Sequence, residues 1–401
     1  MRIDRRLTVA LLCGVAGQAS ALNLQFKPSA HAAVEHDDNV FRVSDEAAST
    51  SVPKVSDTLT TVGGAARLTL NHSLQTLEVR GEYDNFRYRQ LEQLDYERKL
   101  VGAQARLGYA SRLRLKLDAG RERRQEAFAF RDDTSNSFIT VDQASAELRA
   151  EVTPRWTAIA RGDRYRTSAS RIASQDYDLT ENIGELGIEY RRSGLSSLEL
   201  GLRRAEGEYP KRIVTPGDGR EKDYDQQSVV ARIGYTPSGL SSLSAQLAYT
   251  ERRHDDTAVS DFRGVTGRAS LTRRFSGISQ ARLEVYRDLF YVEDRNANYV
   301  ENLGAKASFD YRWSVKLAFA VAAERYSSSY QASPGFDVAG RPREDQVFNI
   351  RAGFDYQPFY RFSILPEYRY ERRGSRDTNS QYDYNVFGVD FAYEYGLRTR
   401  R

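Results

Sequence analysis

Few side chains in this sequence are placed to do covalent chemistry. His254 beside Asp255 and Asp256 is the best arrangement for general-base work, and His72 beside Ser73 is the next. A hydrolase or acyltransferase needs its His within hydrogen-bond reach of a nucleophile and held there by a third group. Both pairs fall in polar connections, where hydration alone accounts for them. His31, His36, Asp37 and Asp38 could ligate a metal, yet His31 and His36 stand an odd number of residues apart and face opposite sides of a strand. Asp218 between Gly217 and Gly219 reads as a turn. No Gly-rich phosphate loop, CxxC pair or nucleophile elbow occurs. The expectation is no catalytic residue, no metal and no cofactor.

The remaining candidates are charged side chains that recur with period two, and the elements that carry them explain why. From Asn302 to Arg312, Leu303, Ala305, Ala307, Phe309 and Tyr311 alternate with Asn302, Gly304, Lys306, Ser308, Asp310 and Arg312. Val101 to Tyr109, Ala144 to Val152 and Val315 to Glu324 behave in the same way. Successive side chains of a strand point to opposite faces, so each segment has one apolar face and one polar or small face. Helical spacing fits none of these windows better.

The connections alternate as well. Asn71-His72-Ser73, Thr153-Pro154-Arg155, Ser193 to Ser196, Pro237 to Leu240, Ser276 to Ser279 and Pro358-Phe359-Tyr360 are turn-like. Asp37 to Asp57, Ala127 to Phe138, Lys211 to Lys222 and Ser328 to Arg343 are longer and more polar. Counting between these marks predicts about 18 strands, with 16 to 18 as the range, in an all-β, antiparallel, up-and-down transmembrane barrel. Short turns on one side and longer loops on the other match the bacterial outer-membrane arrangement. A propeller would repeat every 40 to 50 residues or so, and no such repeat is present. A soluble sandwich would place bulkier Ile, Leu and Phe on its hidden face than the Ala, Gly, Val and Tyr found here.

Composition agrees with this reading. The 401 residues carry 59 Lys+Arg against 55 Asp+Glu, a formal net charge of +4. That balance offers no field for nucleic acid. No run of about 18 apolar residues could cross a bilayer as a helix. Arg2, Arg5 and Arg6, the apolar run from Leu7 to Ala16, and Ala19-Ser20-Ala21 read as a signal peptide over residues 1–21, cleaved after Ala21. Residues 22–401 then form one barrel domain. Cys13 lies inside the apolar run and follows Leu12, a poor lipoprotein signal. The remaining chain has no Cys, so disulfides and thiol chemistry are excluded there.

Closure of about 18 strands leaves a lumen too wide for side chains to fill, and it holds water. The inward, pore-lining positions assigned by alternation are Arg67, Arg80, Glu82, Arg106, Arg114, Lys116, Glu147, Arg149, Arg161, Glu189, Arg203, Arg232, Arg268, Glu284, Lys306, Asp310, Lys316, Arg351, Asp355 and Asp390. Both signs are mixed, which predicts a polar lining of partly paired charges and not a single-sign filter. Tyr109, Tyr190, Tyr235, Tyr249, Tyr311, Trp156 and Trp313 are read as a girdle on the short-turn side. Leu317 is read as a mid-strand lipid-facing position. The last strand, with Phe387, Val389, Phe391, Tyr393 and Tyr395 on one face, resembles the signal read by the barrel-assembly machinery, and a basic tail from Gly396 to Arg401 follows it.

Three stretches carry a family resemblance. Val34 to Arg42, containing Asp38-Asn39-Val40-Phe41-Arg42, resembles the opening segment of the putative β-barrel porin 2 family. Glu82 to Tyr88 running into Leu94-Asp95-Tyr96, and Tyr370 to Ser375 followed by Tyr382 to Asn385, resemble strands of its EpsL-type exopolysaccharide members. The resemblance implies an outer-membrane barrel that helps an extracellular polysaccharide cross the membrane. The partners would be outer-membrane lipid, the polymer and periplasmic export components. Barrel physics equally permits a general or sugar-selective diffusion porin, or a surface anchor for polymer with a closed lumen. An uptake porin narrows its lumen with an inward-folded loop, and only Asp37 to Asp57 is long enough for that.

Overall fold

A computed structural model describes residues 23–44, 52–110, 112–130, 134–213, 222–254, 261–290, 297–332, 343–377 and 380–395. Among them run eighteen strands: β1 (Asn23–Asp37), β2 (Asp57–His72), β3 (Gln75–Tyr88), β4 (Tyr96–Tyr109), β5 (Leu113–Gln125), β6 (Phe138–Thr153), β7 (Trp156–Ala169), β8 (Thr180–Ser193), β9 (Ser196–Glu208), β10 (Asp223–Ser238), β11 (Ser241–His254), β12 (Phe262–Arg274), β13 (Ser279–Phe290), β14 (Ala297–Arg312), β15 (Leu317–Ala332), β16 (Glu344–Phe359), β17 (Phe362–Ser375) and β18 (Tyr382–Glu394). Each strand pairs antiparallel with its neighbours in sequence. β1 also pairs with β18, from Ser29↔Glu394 to Asp37↔Val386, and closes the ring. Pro28, which has no N–H, lies one residue before that ladder begins.

The register keeps like residues on like faces. Glu284 stands opposite Lys306 while Val285 stands opposite Ala305. The apolar face points outward and is bare of protein contacts, with Leu186, Leu202, Val62 and Val101 all more than half exposed. Lipid can solvate that face where water cannot. Two-residue turns join β2 to β3, β6 to β7, β8 to β9 and β10 to β11 at one end. Ser73, Ala110 and Arg361 adopt left-handed φ of 52°, 48° and 68° at this end, as tight hairpins demand.

The other end carries the packed core. Val40, Phe41, Leu94 and Phe128, from three separate connections, form one apolar cluster with Val43, Val52, Val55, Tyr88 and Leu91 against it. Leu179, Tyr209 and Tyr224 form another, with Tyr165 against it. Polar backbone is held there by buried side chains. Asn39 donates to the carbonyls of Val43 and Asp383, both at 2.8 Å. Asp57 accepts from the N–H groups of Gln90 and Leu91 at 3.1 and 2.9 Å. The sequence reading gave inward folding only to the Asp37 to Asp57 connection. The β3–β4 and β5–β6 connections share it.

Two further corrections concern the outer face. Leu317 is the first residue of β15 and sits at the short-turn end, not mid-strand. Tyr249 lies nearer the His254 end of β11, on the long-connection side, where its hydroxyl accepts from Arg263 Nε at 2.9 Å. It therefore leaves the short-turn set, in which Trp156 and Tyr190 pack at 4.8 Å and Tyr311 and Trp313 at 6.2 Å. The segment over residues 1–21 that the sequence marks as an expected signal peptide, and the tail from Gly396 to Arg401, lie outside the described residues.

Val321, opposite Phe309 and Ala352 on the outer face, replaces Leu317 as the mid-strand probe. Val321→Arg should cost about 2–4 kcal/mol of folding into lipid, and Leu317→Arg only about 0–1 kcal/mol because its depth is interfacial. Lys316→Ala, in the turn, should change stability by less than about 0.5 kcal/mol. Urea titrations of refolding into vesicles measure all three, and equal losses for Val321→Arg and Leu317→Arg would show the depth assignment to be wrong.

Candidate functional site

The inner wall is written as rows of directly opposed residues. Thr76, Arg106, Lys116, Glu147, Arg161, Glu185, Arg203 and Ser228 follow one another across β3 to β10. A second row runs Glu189, Glu199, Arg232, Gln246, Arg268 and Tyr286 across β8 to β13. Opposed residues on one face lie about 5 Å apart, within reach of each other's long side chains. Period two along the chain and antiparallel pairing between chains together place charge on one side only.

Every charged residue assigned inward from the sequence falls on this inner side of the register, apart from Lys316, which sits in the turn before β15 with its ammonium donating to Pro358 O at 3.2 Å. The structure divides them into sectors. In the β6–β10 sector they interlock. Arg161 meets Glu147, Glu185 and Glu199 at 2.7, 2.6 and 2.5 Å. Arg232 bonds Glu185 and meets Glu199 at 2.6 Å, while Arg203 meets Glu185 at 3.1 Å. Arg149 pairs with Glu189, which also holds Arg191 at 2.6 Å. Glu185 is buried beneath three guanidinium groups. Planar guanidinium forks bridge strands two apart, so this wall is braced diagonally as well as along its ladders.

A smaller knot sits on β3 to β5. Arg98 holds Glu122 at 2.7 Å, Glu82 at 2.6 Å and Asp84 at 3.2 Å. Asp84 also meets His31 Nε2 at 3.2 Å, reaching across Gly63. A Cβ at Gly63 would stand 2.0 Å from the Asp84 carboxylate, so only glycine leaves that passage open. Gly304 works similarly, because a Cβ there would come within 2.6 Å of the Tyr286 ring. Tyr286 is thereby free to lie along the wall and donate to Glu324 at 2.7 Å.

The short-turn half of the lumen is less satisfied. Arg80, Arg106 and Arg114 make no ion pair among the described residues, and Arg67 has only a 3.5 Å contact with Glu78. Lys116 is paired with Asp118 at 3.0 Å. A cavity of about 1380 Å³ opens beside this sector. Its far side is small and acidic: Ala318, Ala320, Ala322, Gly353, Asp310, Asp355 and Asp390. Arg351 belongs to this side and meets Glu367 at 3.3 Å. A second inner cavity, of about 910 Å³, lies over Glu199, Arg232, Gln246, Arg268 and Glu284. Arg268 pairs with Glu284 and Asp288 at 3.3 and 2.9 Å. Lys306 stands between Glu284 and Glu324 in the register. Thus the wall offers a saturated sector, a cation-rich sector and an acidic one.

At the long-connection end the passage is narrowed by packing. Arg373 of β17 donates to Ala129 O at 3.1 Å, tying that strand to the β5–β6 connection. Arg252 stacks on Tyr224 at 4.0 Å. His254 lies in this packing, its ring parallel to that of Tyr299 at 6.0 Å, with Asp261 Oδ1 3.6 Å from Nδ1. Asp255 and Asp256 lie outside the described residues. His72 ends β2 at the opposite end of the barrel. His31 faces inward to Asp84, while His36 faces outward to the Thr58 hydroxyl at 3.2 Å. Nothing brings the four His together.

The model of the family described as putative beta-barrel porin 2 matches residues 24–395, and the chain belongs to that family. Among proteins of curated function, none matches. The fold is similar to Pseudomonas aeruginosa OccK2 (OpdF), at 16% identity and a TM-score of 0.51, covering 93% of this chain and 98% of that one. A second structure of that protein is a complex with glucuronate and superposes equally well. Pseudomonas aeruginosa OccK9 (OpdG) gives 14% identity and a TM-score of 0.50 over 94% of this chain and 99% of that one. Fold and family together make this a porin-type barrel of the bacterial outer membrane.

Glu185 tests the electrostatic wall. Its loss leaves Arg161, Arg203 and Arg232 converging without their shared counter-charge, so Glu185→Ala should destabilise the folded barrel by about 3–5 kcal/mol. Adding Arg232→Met should recover part of that loss. Urea unfolding in vesicles reads both, and a single variant as stable as the parent would remove the brace from Glu185.

Proposed function

We propose that this barrel is a diffusion porin for small polar solutes. The observation that carries the reading is the charged inner wall opening on an inner cavity of about 1380 Å³ at one end, while packed side chains crowd the other end. Water and small hydrophilic molecules exchange hydrogen bonds with such a wall, and no site binds tightly enough to hold them. Unsatisfied Arg80, Arg106 and Arg114 favour solutes that carry partial or full negative charge along that side. Asp310, Asp355 and Asp390 offer acceptors to hydroxyl groups on the other.

Polysaccharide export, the expectation raised by the family resemblance, makes a heavier demand. A polymer needs every cross-section open at once, and here the Val40–Phe41–Leu94–Phe128 cluster and the Arg373–Ala129 contact would have to part along its path. Solutes smaller than the polymer need only the space beside them.

Reconstituted protein should make liposomes swell in monosaccharide solutions and should conduct ions across planar bilayers. Replacing Arg80, Arg106 and Arg114 together by Ser should move ion selectivity toward cations without preventing folding. In cells, deleting the gene should leave secreted polysaccharide unchanged. Absent swelling combined with lost polysaccharide would overturn the diffusion reading in favour of export.

A further inference from the structure

The outer face of β4 to β7 carries a feature that the lumen does not explain. Val101, Arg121, Asp142 and Arg166 form one outward row, and Ala103, Ala119, Ala144 and Arg164 form the next. Arg164 and Arg166 are exposed and make no hydrogen bond or ion pair among the described residues. Arg121 has only a 3.5 Å contact with Asp142. Elsewhere on the same rim Arg372 is likewise exposed and unpaired among the described residues, whereas Arg204 and Arg253 are matched. Arg204 meets Asp225 and Glu206 at 2.5 and 2.9 Å, and Arg253 meets Glu251 at 2.7 Å.

Depth tells what these guanidinium groups face. They stand 8 to 10 residues beyond Leu113 and Trp156, the first residues of β5 and β7, which at roughly 3.3 Å per residue and a tilt near 40° is about 20–25 Å. That is the upper border of the apolar band, on the side of the long connections, where the head-groups of the outer leaflet begin. An Arg left without a carboxylate at that border is matched most cheaply by an anionic head-group, because guanidinium and phosphate pair in a bidentate fork.

Below the cations the wall is recessed. A groove of about 470 Å³ runs under Arg121, Arg164 and Arg166 along Val101, Ala103, Ala119 and Ala144. It continues into a second, of about 530 Å³, along Leu77, Ala105, Leu117, Ala146 and Gly162. The two share Ala103, Ala119, Ala144 and Arg164. Cations at the head and an apolar trough below reproduce the order of parts in a phosphorylated lipid. From this charge and shape complementarity we infer that the β4–β7 face holds one phosphate-bearing glycolipid of the outer leaflet, its phosphate on Arg121, Arg164 and Arg166 and one acyl chain in the groove. This rests on the barrel and its membrane and not on what passes through the lumen.

Native mass spectrometry of the folded barrel, titrated with bis-phosphorylated lipid A, tests this directly. The parent protein should retain the lipid, and Arg164→Ser/Arg166→Ser should bind it at least about tenfold more weakly, as expected for the loss of about 1.4 kcal/mol. Arg204→Ser/Arg253→Ser, elsewhere on the same rim, should bind as the parent does, and the heat-modifiable gel shift certifies folding of each variant. Dephosphorylated lipid A should be retained poorly by the parent. Equal binding by the parent and the Arg164→Ser/Arg166→Ser variant, or equal retention of the dephosphorylated lipid, would overturn the site. Displacement of the lipid by millimolar inorganic phosphate would overturn the role of the groove.

Discussion

The pairing of β1 with β18 is the interaction on which the rest depends. In hydrocarbon an unpaired N–H or C=O costs several kcal/mol, so a sheet survives there only when it has no edge. β1 meets β2 along its whole length and β18 from Ser29 to Asp37. The seam also sets parity. A slip of one residue would carry Lys27, His31 and Glu35 onto the lipid face and bring Phe26 and Val34 into the lumen. Closure and the two-faced wall are therefore a single constraint, enforced by backbone and side chains together.

Given a closed wall, the interior charges do two different things. Between β6 and β10 four glutamates and their arginines saturate one another, and the resulting lattice stiffens a sheet that has no packed core behind it. On β3 to β5 Arg80, Arg106 and Arg114 keep free valence, and Asp310, Asp355 and Asp390 of β14 to β18 line the cavity. Apolar packing, displaced from the wall, collects in the mouth, where connections distant in sequence meet. In the proposed diffusion role, selectivity falls to the unsaturated sectors, and the saturated one keeps them apart.

Much of this was legible in the sequence. Alternation from Asn302 to Arg312 fixes both the strand and its faces, because period two leaves no freedom once one side meets lipid. Ala320, Ala322 and Gly353 are inward for the same reason. Alternation did not single out Glu185 and Glu199, although the parity that marks Glu189 marks Glu185 as well, and Glu199 is directly opposed to Glu189. What parity cannot supply is the partner two strands away, as in Arg161–Glu199. The mouth was misread for a related reason. Phe41 meets Phe128 and Arg373 meets Ala129 through connections with no period to read, and the only sign was apolar residues in otherwise polar loops. Tyr249 was misplaced because an aromatic near a strand end does not say which end.

Substituted-cysteine labelling along β14 tests the water-filled, two-faced wall most directly. Cys13 is the single Cys of the sequence, so in a Cys13→Ser background each introduced thiol reports alone. Cys at positions 306, 308 and 310 should react with a membrane-impermeant sulfonate reagent supplied from either side of a lipid vesicle, and Cys at 305, 307 and 309 should not. Reaction from the short-turn side only would show a lumen closed at the mouth, and reaction independent of parity would contradict the barrel wall itself.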